Sequence, residues 1–197
     1  GIALLALIAL IVILGIIAPK DYHVERSAII NAPGQLVFNH AKFWRNWQAW
    51  SPWAEMDSTM TIAVEGVDGT AGSMYKWVGT KVGTGEMTNT GIKENEEMTF
   101  HLHFIKPWES ESDGYVRVAD VDGNTQASWG FYGKSPFPWN IMTLFMSMDK
   151  MMGKDFERGL SLLKEISEKE YAAVKSYTVL EIKFPARTYA AIQKVVS

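Results

Sequence analysis

The stretch WNIMTLFMSMDKMMGKDFERGLSLLKEISE, residues 139–168, carries the longest helical pattern in the chain. Its apolar residues recur every three or four positions, which is the spacing of one stripe on an amphipathic helix. A helix of about 30 residues is unstable in water by itself, so this stripe requires a covering surface. The pattern therefore predicts a long helix packed against another layer. The stripe consists of Ile141, Phe145, Met148, Met152, Phe156, Leu160, Leu163 and Ile166.

The sequence before this helix predicts a sheet that can cover it. Short alternating stretches follow one another, separated by Asp-Gly pairs and other turn signals. Phe100, Leu102 and Phe104 show the alternation, since they fall on one face of a strand. Strands joined by tight turns and followed by a helix are typical of an α+β fold with an antiparallel sheet. The predicted strands are 22–30, 60–67, 73–79, 84–93, 98–105, 114–121 and 125–132, with a short helix over 35–43.

Residues 1–18 contain no charged or polar side chain. A helix of that length spans about 27 Å, close to the roughly 30 Å hydrocarbon core of a bilayer. We therefore expect a transmembrane anchor over residues 1–19, with the lipid bilayer as its partner through residues 1–18. A cleaved signal peptide and a buried helix are the alternatives. The first residue is Gly and not Met, so we expect the natural chain to begin earlier.

Charge and composition exclude several function classes. The net charge is −3 and no basic run is present, so nucleic acid is not an expected partner. The chain has no Cys, which excludes disulfides and Cys nucleophiles. His101 and His103 share the strand face opposite Phe100 and Leu102, so we expect them to face solvent. Two His do not make a zinc site, and the sequence predicts no metal and no cofactor.

Aromatic and Met residues are abundant, and they predict either a packed core or the wall of an apolar cavity. Trp44, Trp47, Trp50 and Trp53 recur every three residues around a Ser-Pro break. This repeat indicates either a packed corner that closes the core or an aromatic wall facing a ligand. The candidate cavity wall consists of Trp50, Trp53, Trp77, Trp129, Phe131, Met142, Phe145, Met148 and Met152.

Three stretches resemble the SRPBCC superfamily, whose members have the START-like or helix-grip fold. They are YHVERSAIINAPGQLVF (22–38), WQAWSPWAEMD (47–57) and TLFMSMDKMMGKDFERGLSLLK (143–164). The resemblance is closest to polyketide-cyclase-like members. It implies a helix-grip domain over residues 20–170, in which a curved antiparallel sheet wraps around the long C-terminal helix and an apolar cavity lies between them. Anchored relatives often have Lys-rich N-termini, which implies a location in the cell membrane with the soluble domain outside the cytoplasm.

A second resemblance concerns the C-terminal end. YTVLEIKFPARTYAAIQKVVS, residues 177–197, is similar to the opening strand and helix of a gyrase-inhibitor-like effector-binding domain. About 20 residues cannot form the core of such a domain. We therefore expect residues 171–197 to be a linker followed by a partial segment of it.

Three functions are compatible with these features. The first is a single-pass membrane-anchored protein that binds an apolar or amphipathic small molecule. The alternative is a non-catalytic accessory subunit of a larger complex, with integral membrane subunits as partners. An enzyme of cyclase or dehydratase type is the least favoured, because it needs an acid or base that reaches the cavity. Its candidates are Tyr75, Glu86, Tyr115 and Arg117.

Overall fold

The computed structural model describes residues 1–176 and has an α+β helix-grip fold, as the sequence predicts. The segment 177–197 lies outside the described residues. A seven-stranded sheet is followed by a short 3-10 helix and a long C-terminal helix. The strands are β1 (Asp21–Ile30), β2 (Thr61–Glu65), β3 (Met74–Gly79), β4 (Gly83–Lys93), β5 (Glu97–Lys106), β6 (Ser110–Val121) and β7 (Asn124–Lys134). The α-helices are α1 (Ile2–Ile17), α2 (Gly34–Lys42), α3 (Trp44–Trp47), α4 (Pro52–Met56) and α5 (Met148–Lys175).

The sheet is antiparallel throughout, in the order β1-β7-β6-β5-β4-β3-β2. Six strands form the predicted meander, and β1 closes onto the last of them. The observed strand ends differ from the predicted ones by a few residues, because alternation defines a strand's faces better than its ends. Phe100 and Leu102 of β5 are buried, and their face of the sheet covers the core.

The long helix begins at Met148 and not at residue 139, which corrects the sequence prediction. Trp139–Leu144 forms the 3-10 helix instead. Ser147 is extended and its side chain accepts a hydrogen bond from the backbone N of Lys150, which makes it the N-cap of α5. Because a 3-10 turn also repeats every three residues, spacing alone does not mark where the α-helix starts.

Helix α5 packs along the sheet through aromatic and ionic contacts. The ring of Phe156 stacks on Trp129 of β7 with centroids 4.5 Å apart. At the helix start, Arg26 of β1 donates to Asp149 at 2.7 Å and to Glu157 at 2.8 Å. These contacts place the first turns of α5 beside Arg26, and a later turn reaches the end of β1, where Glu168 accepts from the backbone N of Asn31.

The Trp repeat forms a packed corner for its first three members. Trp44, Trp47 and Trp50 are fully buried. Each indole N–H donates to a backbone carbonyl, as buried Trp requires. The acceptor for Trp47 is Ala41 at 2.6 Å and the acceptor for Trp50 is His40 at 3.1 Å.

The N-terminal apolar segment forms α1, a 16-residue helix. Among the helices within residues 1–176, none combines the length and the apolar character needed to cross a membrane. The expected spanning anchor over residues 1–19 is therefore not found. Helix α1 ends at Ile17 because Ala18 is extended before Pro19, and a residue that precedes proline disfavours the helical conformation.

Candidate functional site

The candidate site is a cavity of about 270 Å³ between the inner face of the sheet, helix α4 and helix α5. Its wall is almost entirely apolar, and aromatic rings and Met side chains dominate it. Small-molecule sites in proteins have this character, with a few polar groups set in an apolar wall. The lining residues from the sheet include Tyr75, Trp77, Met87, Phe100, Leu102, Phe104, Trp129 and Phe131.

The structure brings five of the nine sequence-predicted wall residues together around this cavity. Trp77, Trp129 and Phe131 reach it from the sheet because they lie on the inward face of their strands. Trp53 reaches it from α4, and Met152 reaches it from the first turns of α5. Trp53 also packs edge-to-face on Trp129, with centroids 5.5 Å apart.

The other four predicted wall residues lie elsewhere. Trp50 is buried behind the wall, where its ring packs on Trp47 with centroids 4.6 Å apart. Met148 is half-buried against the core and does not line the cavity. Met142 and Phe145 are exposed, because α5 starts after them and the 3-10 segment carries them onto the surface.

Several lining residues were not predicted from the sequence. Phe100, Leu102 and Phe104 line the cavity, and their alternation on one strand face is the sequence signal by which they could have been included in the predicted wall. Met87 follows Gly85 in a strand without clear alternation, so its sequence gives no comparable signal. Met56 is the last residue of α4 and Val82 lies in the β3–β4 hairpin, and these two elements approach each other only in the folded chain.

Three polar side chains line the cavity, Ser51, Tyr75 and Lys81, and the last two can contact the polar end of a ligand. Tyr75 lies on its wall, and burial raises the pKa of the phenol to about 12. The hydroxyl is protonated at neutral pH, as an ordinary phenol also is, so it can donate a hydrogen bond to a ligand. Lys81 lies at the edge, where its Nζ donates to the Met56 carbonyl at 3.1 Å. The cavity can thus hold an apolar body and hydrogen-bond a polar end.

The β3–β4 hairpin that carries Lys81 and Val82 is fixed by Asp57. The carboxylate of Asp57 accepts from the backbone N of Lys81 at 2.7 Å and of Val82 at 3.2 Å. It also accepts from the hydroxyl and the backbone N of Thr59. Hydrogen bonds from the Thr59 hydroxyl and the hairpin amides hold the pKa of Asp57 well below its usual range. The hairpin is therefore tied to the end of α4 across the cavity edge.

Of the four candidate acids and bases, only Tyr75 reaches the cavity. Glu86, Tyr115 and Arg117 alternate with inward-facing residues and lie on the opposite face of the sheet. The Tyr115 hydroxyl contacts His23 Nε2 at 2.7 Å and donates to Glu25. Burial and the hydrogen bond to Glu25 raise the pKa of Tyr115.

The two His of β5 face away from the cavity. His101 Nδ1 lies 3.0 Å from Asp113, and His103 Nε2 lies 3.2 Å from Glu109. Within the described part of the chain, no three His, Asp or Glu side chains are grouped so that they could hold a metal ion.

Comparison with known sequences identifies the family. Residues 21–168 match the sequence profile of the family described as polyketide cyclase / dehydrase and lipid transport. The match covers most of the chain, so the protein belongs to this family. A search of curated proteins returns no match.

Comparison with solved structures supports the same fold. A protein of Rhizobium leguminosarum superposes with a TM-score of 0.56 at 13% identity, over 76% of this chain and 96% of its own. Protein CV1439 of Chromobacterium violaceum gives 0.55 at 11% identity, over 74% and 96%. The di-domain ARO/CYC StfQ of the steffimycin biosynthetic pathway gives 0.56 at 9% identity, over 78% of this chain and 52% of StfQ. At such low identity the similarity establishes the fold alone.

Proposed function

We propose that this protein binds an apolar or amphipathic small molecule in the cavity between its sheet and α5. The observation that carries the proposal is the cavity of about 270 Å³ with its wall of aromatic and Met side chains. The description of the family, which includes lipid transport, supports it. Burying an apolar ligand there contributes a favourable free energy of roughly 25 cal/mol for each Å² of apolar surface removed from water.

The polar groups of the cavity favour an amphipathic ligand over a pure hydrocarbon. The Tyr75 hydroxyl can donate to a carbonyl or carboxylate oxygen, since a phenol is protonated at neutral pH and this one lies on the cavity wall. The Lys81 ammonium lies at the edge of the cavity and can contact an anionic end. A medium-length fatty acid combines both features and is a suitable probe.

The test is calorimetric titration of the protein in mild detergent with laurate and with lauryl alcohol. We expect both to bind, and we expect Met152→Trp to weaken binding by about tenfold or more, since the larger side chain fills the cavity. Met151→Trp is the matched control, because Met151 is the exposed neighbour of Met152 on the same helix. Absence of binding to the natural sequence, or equal effects of the two substitutions, would contradict the proposal.

We propose further that α1 associates with the lipid bilayer. Its side chains are apolar and most of its large residues are exposed, which is the state of a helix whose partner lies outside the domain. The same exposed surface favours a second function, docking as an accessory subunit among integral membrane subunits. Native mass spectrometry of the protein extracted from its own membrane separates the two, since a subunit co-purifies with protein partners and a lipid-associated binder does not.

A further inference from the structure

The segment between β7 and α5 exposes an apolar surface that the ligand cavity does not use. Trp139 is 70% exposed and Phe145 is 77% exposed. Trp139 and Met142 lie three apart in the 3-10 helix, where such residues eclipse each other, and Phe145 follows three residues later as the C-cap of that helix. Exposed apolar surface of this kind marks an interaction site. We call this surface the apolar collar and define it as Phe137, Trp139, Met142, Phe145 and Met146.

The apolar collar is continuous with α1. Asn140 is fully buried, and its Nδ2 donates to the carbonyl oxygens of Gly15 at 2.8 Å and Ala18 at 3.1 Å. The ring of Phe137 packs against Gly15, where a larger residue would collide with it. The 3-10 segment is therefore bonded to the end of α1, and the apolar surface runs from one to the other.

The edge of the ligand cavity lies at the same end of the sheet as the collar. The strand pairing places four features at one end of the sheet: the β3–β4 hairpin, the end of β5, the end of β7 and the start of β1. Thr84 pairs with Lys106, and Asp21 pairs with Lys134. The lining residues that remain partly exposed include Lys81, Val82 and Met152, which belong to this end. The deeper lining residues, such as Phe100, are buried.

The charges around the collar favour an anionic bilayer as the occupant. Lys20, Lys134 and Lys150 are exposed beside it. No carboxylate among residues 1–176 forms an ion pair with any of the three. The acids of this end include Asp21 and Glu111, together with three that have partners: Asp57 accepts from the β3–β4 hairpin, Glu109 contacts His103 and Asp149 is bonded to Arg26. Apolar and Trp side chains with a rim of Lys are typical of proteins that lie in the bilayer interface.

We propose that the apolar collar inserts into the interface of an anionic bilayer and holds the opening of the cavity against it, so that the ligand enters from the membrane. This inference rests on the proposed function for the ligand, but its docking step can be tested without any ligand. It also differs from the association of α1, because it concerns the face that the folded domain presents.

The docking step can be measured with single labels, because the chain has no Cys. Phe145→Cys and Val67→Cys each receive a nitrobenzoxadiazole label, and each full-length protein is added to vesicles of phosphatidylcholine and phosphatidylglycerol. Val67 is the matched control, since it is 72% exposed and lies at the opposite end of the sheet, after β2. We expect a blue shift and quenching by doxyl-labelled lipid for the label at position 145 only. Equal behaviour of the two labels would overturn the proposal.

The entry step is tested with Phe145→Asp. This substitution lies on the surface, so the cavity stays intact, but a carboxylate resists entry into the interface. We expect transfer of a pyrene-labelled fatty acid from the vesicles to slow by about tenfold, with laurate binding from solution unchanged. Unchanged transfer would overturn the entry step. Failure of the natural sequence to bind laurate would refute the proposed function, while the label at position 145 would still report docking.

Discussion

At the scale of single residues, Asp57 links the cavity edge to the rest of the fold. Its carboxylate is buried and accepts several hydrogen bonds from Thr59 and the β3–β4 hairpin. Hydrogen bonds to the charged form lower the pKa of a carboxyl. The folded state therefore takes up this proton at a lower pH than the unfolded chain does. The stabilisation is therefore fully present above the unfolded pKa and is lost as the pH falls through the folded pKa.

We expect Asp57→Asn to lower the unfolding temperature at neutral pH, because the neutral amide replaces an acceptor of several N–H and O–H groups. The difference from the natural sequence should narrow as the pH falls below about 4, where the unfolded carboxyl takes up its proton. Thermal unfolding followed by circular dichroism between pH 7 and about pH 2 measures it. Asp21→Asn, at an exposed position, is the control. A difference that stays constant with pH would show that the charge of Asp57 is not involved.

At the scale of elements, α5 approaches the sheet closely because two glycines face it. A Cβ on Gly159 would collide with the ring of Trp129 and approach Pro52 at 3.2 Å. A Cβ on Gly153 would meet the guanidinium of Arg26, the end of a flexible side chain. The two positions have the same helix propensity but different neighbours, so they separate packing from propensity.

We expect Gly159→Ala to lower the free energy of unfolding by about 1–3 kcal/mol, since overpacking outweighs the gain in helix propensity. Gly153→Ala should change it little or raise it by up to about 1 kcal/mol, because Arg26 can move aside. Urea titrations of both variants measure the difference. Similar changes in the two variants would mean that Trp129 gives way as easily as Arg26.

Sequence periodicity predicted those cavity-wall residues whose inward direction follows from their position on one face of a strand or helix. Trp129 and Phe131 alternate on β7, and Met152 lies on the stripe of α5, so all three point inward. Met142 and Phe145 continue the same spacing, but they precede the helix start and face outward. Apolar periodicity cannot distinguish a side chain that faces a core from one that faces another apolar partner.

At the scale of the whole molecule, Asn140 sets the orientation of α1 on the domain. Its two hydrogen bonds satisfy carbonyl groups at the end of α1, which have no partner within that helix. No pattern in the sequence pairs residue 140 with residues 15 and 18, because the contact joins distant parts of the chain. The meander of β2 to β7 was accessible from alternation and turns, whereas this contact was not.

We expect Asn140→Ala to lower the free energy that holds α1 against the domain by about 1–3 kcal/mol, because two buried carbonyl groups lose their donor. Helix α1 should therefore become more mobile. Spin labels on Ile16→Cys and Val67→Cys report the distance between α1 and the far end of the sheet, and the distribution should broaden in the variant. Asn46→Ala, which removes a hydrogen bond to the Asn39 carbonyl at the Trp corner, is the control. A distribution as narrow as that of the natural sequence would contradict the role of Asn140.

The direct passage from α1 into β1 has a mechanical consequence. They are separated only by Ala18, Pro19 and Lys20, so a force applied to α1 is transmitted directly to β1. Strand β1 is paired over its ten residues with β7, and α5 leaves the domain near the far end of β1. Tension applied between α1 and the C-terminal end of α5 therefore acts along β1 and loads its hydrogen bonds to β7 in shear. The pairing of β1 with β7 is thus arranged to resist force along the strands.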